Sequence, residues 1–191
     1  MHSIAINSDA FSSGQVGSKI WLCENLESSF GPYDQTVWIL GGWYGLSAFM
    51  LFSRNIIPIK SCRSFDIDPS CEPIADTLLN NWVWQEWKFK AFTHDCNTLN
   101  YQSLQYGPLP SLVINTSCEH FDRMDWFHQI PTGTKIALQS NNMDHADHFN
   151  NINSLDHMKS VYKINKTVFA GEKTFTYPTW SFTRFMLIGI K

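Results

Sequence analysis

Charge is scarce in this sequence. Asp, Glu, Lys and Arg make up 16% of its 191 residues, the formal net charge is -3, and no run of Lys and Arg stands out. A phosphate backbone therefore finds no electrostatic footprint, which disfavours nucleic acid as a partner. Cysteine is sparse and unpatterned. Cys23, Cys62, Cys71, Cys96 and Cys118 are odd in number and carry no paired metal-ligand spacing, so free thiols in a reducing, cytoplasmic setting are expected. No apolar run approaches bilayer-spanning length, and MHSIAINSDAF has no basic stretch leading into an apolar one, so neither membrane insertion nor secretion is expected. Internal repeats and low-complexity tracts are missing too, and nothing in the sequence sets an oligomeric state.

What is present is apolar and aromatic. Hydrophobic residues reach 43%, with eight Trp and fourteen Phe, which excludes disorder and points to a core heavy in rings. The length suits a single self-supporting domain over 1–191, with a leading helix over about 12–30 and a core over 36–191. Ser12 and Ser13 precede apolar residues near helical spacing, and Gly31-Pro32 stops that helix. TVWILGG is a continuous run of β-formers and reads as a strand buried on both faces. A helix over 46–54 and an extended Ile-rich stretch over 56–65 follow, and Pro69 and Pro73 fit the opening of a third helix over 70–82. Strands are expected over 88–95, 111–118 and 135–142, and helices over 120–130 and 155–162. Two long strands over 166–177 and 181–191 come last with no helix between them.

Alternating strands and helices imply an α/β fold. The expectation is a Rossmann-like three-layer sandwich around a mostly parallel seven-stranded sheet, with a C-terminal antiparallel hairpin. Ligands in such sheets sit at the carboxyl ends of the strands, where strand order reverses. Gly41-Gly42-Trp43-Tyr44-Gly45 lies at such an end, where glycine permits a sharp turn and close approach of a ligand. Leu40 breaks the dinucleotide fingerprint, and no Gly-Lys-Ser or Gly-Lys-Thr follows to make a Walker loop, so NAD and ATP both lose ground.

WILGGWYGLSAFML resembles the first motif of class I S-adenosylmethionine-dependent methyltransferases, a strand ending in a Gly-x-Gly-x-Gly loop around the methionine part of the cofactor. Gly41 and Gly45 match its outer glycines, Gly42 lies between them, and Trp43 takes the place of the middle glycine, where its ring offers a cation–π face to the sulfonium. Asp66 ends the second strand in SFDIDP and looks like the family's second motif, a carboxylate that accepts both ribose hydroxyls, with Ile67 beside it. Asp68 is given a helix-entry role, and the two acids can be exchanged in this reading. The resemblance places Asp95 against the adenine amino group and Cys96 and Asn97 along the same pocket. It implies S-adenosyl-L-methionine as cofactor and a methyl transfer to a small molecule or a protein side chain.

The fourth strand runs into the polar stretch Asn115-Thr116-Ser117-Cys118-Glu119-His120, and DNA amino-methyltransferases carry an Asn- or Asp-Pro-Pro-aromatic sequence there that this chain lacks. Asn115, Glu119 and His120 are the candidate catalytic residues, with Asn115 also facing the cofactor; Glu119 or His120 serves as general base or else caps the next helix. Cys118 has no partner at catalytic spacing. Asp144, His145, Asp147, His148 and His157 cluster in sequence but match no metal signature, so they read as a solvated loop, and no metal is expected. Asn141, Asn142 and His145 in that region are candidates for touching substrate. Gln15, Ser18 and Lys19 form the polar face of the leading helix, either solvated or folded over the cofactor with Lys19 on its carboxylate. Other chemistries stay open: a lyase or cyclase using the same cofactor, a nucleotide-binding oxidoreductase, and a non-catalytic partner subunit with Trp43 blocking the pocket.

Overall fold

The computed structural model describes residues 6–31 and 34–191. Strands β1 (Gln35–Leu40), β2 (Ile59–Asp66), β3 (Phe89–Thr93), β4 (Leu112–Asn115), β5 (Lys135–Asn141), β6 (Lys166–Thr176) and β7 (Ser181–Ile190) form one sheet in the order β3-β2-β1-β4-β5-β7-β6. The first five run parallel, and β7 is antiparallel to both of its neighbours. The hairpin thus enters the sheet by its second strand. Burial explains the choice: β7 is apolar on both faces through most of its length, whereas β6 keeps many exposed residues and takes the edge.

Helices α1 (Ser13–Ser29), α2 (Leu46–Arg54), α3 (Cys71–Leu78), α4 (Asn80–Val83), α5 (Asp125–His128) and α6 (Leu155–Val161) cover the two faces. Every residue of β1 is buried, and its side chains alternate between two cores. Val37 and Ile39 pack with Leu22 and Leu26 of α1 and Leu51 of α2. Trp38 and Leu40 pack with Trp126 of α5 and Met158 of α6. Burying each such side chain contributes roughly 1.5–3 kcal/mol. Among the described residues no helix is long and apolar enough to cross a membrane.

Several expected boundaries shift, each for a local reason. Pro32, expected to stop α1, lies outside the described residues; the helix ends at Ser29. The single helix over 70–82 is two, parted at the fully buried Leu79. The strand over 111–118 stops at Asn115, whose side-chain oxygen accepts the Ser117 N–H at 2.9 Å and turns the chain away. The helix over 120–130 shrinks to α5. Its start is pulled out by a later loop: the Glu119 carbonyl accepts the N–H groups of Phe149 and Asn150 at 2.8 and 3.2 Å, and the Asn150 amide donates to the Phe121 carbonyl. Those carbonyls are then taken, and a helical ladder cannot form.

Candidate functional site

β1 pairs with β2 on one side and β4 on the other, so successive chain segments diverge at its carboxyl end and open a crevice. A cleft of about 820 Å³ fills it, within the size range of small-molecule sites. Its floor is the glycine loop. Gly45 sits at φ +82, where a Cβ would stand 2.8 Å from Leu79 Cδ1 and 3.2 Å from Ala75 Cβ. A side chain at Gly42 would collide with Ser64 Oγ. Glycine there lets the backbone lie close to β2 and α3, and the Gly42 N–H donates to the Phe65 carbonyl of β2 at 3.0 Å. Trp43 also adopts the left-handed conformation, at φ +46, so the chain keeps a turn that glycine would favour and carries an indole on it.

Asp66 locks this loop. Its Oδ2 accepts the Trp43 N–H at 2.8 Å and its Oδ1 accepts the Asp68 N–H at 3.1 Å. The Cys71 side chain also hydrogen-bonds this carboxylate, whose two oxygens can accept about four bonds in all. Burial raises the Asp66 carboxyl above its ordinary value, and the two N–H donors oppose that rise. Asp68 accepts the Ser70 N–H at 2.8 Å at the entry to α3, and that bond holds its carboxyl below the usual range. Asp95 caps the short turn Cys96–Thr98 through the Asn97 N–H at 2.9 Å and meets Arg123 at 3.4 Å. Asp66, Ile67, Asp95, Cys96 and Asn97 all line this end of the cleft.

The opposite end is charged and buried. Lys19 of α1 reaches the cleft with Gln15 as its hydrogen-bond acceptor. The polar face Gln15, Ser18, Lys19 is therefore turned inward, not to solvent; Ser18 is fully buried. Burial first, then the Arg184 charge, lowers the Lys19 pKa to about 7, against the attraction of Glu119 and Asp9. Glu119 lies 3.7 Å from Arg184 Nη1, with side chains 2% and 4% exposed. The Asn141 amide donates to Glu119 Oε1, and Arg184 Nη1 donates to the Thr116 carbonyl at 2.9 Å. Among the described residues Glu119 Oε2 is buried with no hydrogen-bond partner.

His120 and His148 stand beside Glu119 at the mouth, their rings edge to face with centroids 4.7 Å apart. Most residues expected at the site come together here; Ser18, Gly45, Asn115 and Asn142 are the exceptions. Gly45 and Asn115 do not line the cleft: Gly45 packs against α3 and Leu79, and fully buried Asn115 spends its oxygen on Ser117 N–H. Among the described residues the Asn115 amide nitrogen is buried with no hydrogen-bond partner. Cys118 is fully buried, and desolvation pushes its thiol well above the ordinary range, so it supplies no thiolate. His145 and Asp147 edge the cleft, so this loop is not merely solvated, whereas His157 lies on α6 away from it. Sequence reasoning missed Arg184 and Trp180. A lone cation inside the apolar run SFTRFMLIGI is the signal that marks Arg184; Trp180, at the hairpin tip, gave none.

No family model matches the chain, and no curated protein matches it in sequence. Solved structures do match in shape. The N-methyltransferase NodS from Bradyrhizobium japonicum, in complex with S-adenosyl-L-homocysteine, superposes with a TM-score of 0.66 at 10% identity, covering 93% of this chain and 88% of that one. Magnesium protoporphyrin IX methyltransferase (ChlM) from Synechocystis, with bound S-adenosylmethionine, gives 0.66 at 11% identity over 98% and 86%. Phosphoethanolamine N-methyltransferase 2 from Haemonchus contortus gives 0.59 at 10% identity, covering 98% of this chain and 60% of that one. The chain has the methyltransferase fold. In this sheet the glycine loop follows β1, Asp66 ends β2 and Asp95 follows β3, while Glu119 and His120 follow β4.

Proposed function

We propose that the protein is an S-adenosyl-L-methionine-dependent methyltransferase acting on a small molecule or a protein side chain. The observation that carries this reading is the direct bond between the glycine loop and Asp66 at the edge of an open cleft. One strap holds a turn suited to the methionine part and a carboxylate suited to the ribose. Asp95, Cys96 and Asn97 then border the adenine, and Lys19 faces the cofactor carboxylate. Trp43 lines the cleft without filling it, which speaks against a plugged, non-catalytic partner.

When bound, the cofactor supplies an electrophilic methyl group on a sulfonium. The chain's task is to hold the acceptor in line and to exclude water, which accounts for most of the acceleration in such displacements. Glu119 or His120 is placed to take a proton from the acceptor. The Nδ1 of His120 lies 3.0 Å from the Asp147 carbonyl, which can only accept, so Nδ1 carries the hydrogen and Nε2 is the basic atom. Five free, buried thiols suit a reducing, cytoplasmic setting for this activity.

Calorimetric titration tests the reading. S-adenosylmethionine and S-adenosylhomocysteine are expected to bind with one site per chain and NAD not at all; binding of NAD alone would overturn it. Product analysis after incubation with S-adenosylmethionine separates methyl transfer, which releases S-adenosylhomocysteine, from cleavage of the aminobutyrate arm, which releases methylthioadenosine.

A further inference from the structure

We propose that Glu119, His120 and His148 form a binding site for a divalent transition-metal ion at the end of the cleft away from Asp66 and Asp95. One donor atom from each of the three lies within 4.8 Å of the others. Two nitrogens and one carboxylate oxygen make a donor set that first-row metals such as Zn²⁺, Co²⁺ and Fe²⁺ accept while keeping open positions.

The surroundings of each donor point the same way. The Nδ1 of His120 faces the Asp147 carbonyl at 3.0 Å and that of His148 faces the Met143 carbonyl at 2.8 Å. Both imidazoles must then carry hydrogen on Nδ1, which leaves each Nε2 lone pair free and fixes the ring in place, the outer-shell arrangement seen around metal-bound histidine. Glu119 supplies the second observation. Arg184 and the Asn141 amide both address its Oε1, while Oε2 is buried and, among the described residues, unpartnered. An unpartnered carboxylate oxygen is costly to bury, and a cation removes that cost. Arg184 and Lys19 are the opposing positive groups; Arg184 is committed to the other oxygen and to the Thr116 carbonyl, and Lys19 to Gln15.

Placement at the acceptor end rests on the methyltransferase reading, but binding of the ion does not. A metal takes the lone pairs that a free base would need, so the base role of Glu119 or His120 belongs to the metal-free chain alone.

The test is a Co²⁺ titration of the full chain, stripped of metal by chelator, read by visible d–d absorption. The wild type is expected to saturate at one equivalent, to release Co²⁺ to Zn²⁺ and to ignore Mg²⁺. His120→Ala and His148→Ala are each expected to weaken binding by at least the roughly 10–100-fold that loss of an outer-shell partner costs, and the charge-removing, near-isosteric Glu119→Gln likewise. His128→Ala, at an exposed position outside the cleft, is expected to leave the titration unchanged. Absence of a one-equivalent transition in the wild type, or an unchanged curve in either cleft histidine variant with native circular dichroism, overturns the site. Titration of the metal-free chain with S-adenosylhomocysteine keeps the two ideas apart. Binding there without Co²⁺ saturation refutes the metal site alone, and Co²⁺ saturation without it refutes the methyltransferase reading alone.

Discussion

The two ends of the cleft are built by different physics. At the Asp66 end, short-range geometry dominates: a glycine turn, a carboxylate that accepts nearby N–H groups, and an Asp capping its own following turn. At the Glu119 end, buried charges from α1, the turn after β4 and β7 face one another with little access to water, joined by the Asn141 amide of β5. At the first end the desolvation of Asp66 is opposed by nearby backbone donors, and Asp68 stays exposed. The second depends on mutual compensation, so removing one member leaves the others buried and unpaired.

The largest expected effect comes from breaking that compensation. Arg184→Met should strand Glu119 and destabilise the fold by about 3–5 kcal/mol, measured by urea unfolding, because a buried partner is lost. A loss below about 1 kcal/mol would mean that the charged end is no more interdependent than the other. Next is Asp66→Ala, expected to weaken S-adenosylhomocysteine binding by about 1.5–3 kcal/mol in calorimetry, the range for hydrogen bonds to a charged group. Unchanged affinity would refute the ribose assignment.

Lys19 sharpens the contrast through pH. Its pKa near 7 means that the free protein loses this positive charge as pH rises past neutrality, and pairing with a cofactor carboxylate then requires proton uptake. Affinity should therefore fall above pH 7 by at most about tenfold per pH unit. Lys19→Met should lack this component, and comparing the two proteins cancels the ligand's own titration. Identical pH slopes would remove Lys19 from the carboxylate. The smallest effect is expected at Trp43. If its ring meets the sulfonium, Trp43→Ala should cost about 0.5–1 kcal/mol more for S-adenosylmethionine than for S-adenosylhomocysteine, whose sulfur is an uncharged thioether. Equal losses would assign the indole to packing against Tyr44, 5.3 Å away between ring centroids.

Much of the first end was legible from residues in order. TVWILGG declared a doubly buried strand and its turn, and Asp66 closed the next strand, because both features follow from local backbone and periodicity. Less of the second end was. Glu119 and His120 stood out as a polar stretch, but Asn115 belonged to the same stretch and turned its oxygen onto Ser117. His148 read as part of a solvated loop because nothing local shows that His120 will lie against it.

By itself, the sequence determined the alternation of strands and helices, the doubly buried β1 with its glycine turn, and the acid that closes β2. These depend on side-chain period and on φ preference, which act over a few residues. Tertiary structure alone decided that β7 would slide between β5 and β6, that Lys19 would turn inward, and that Arg184 would meet Glu119. The reason is that burial of a charge is a property of what surrounds it, and those surroundings come from parts of the chain that meet only once the sheet has closed.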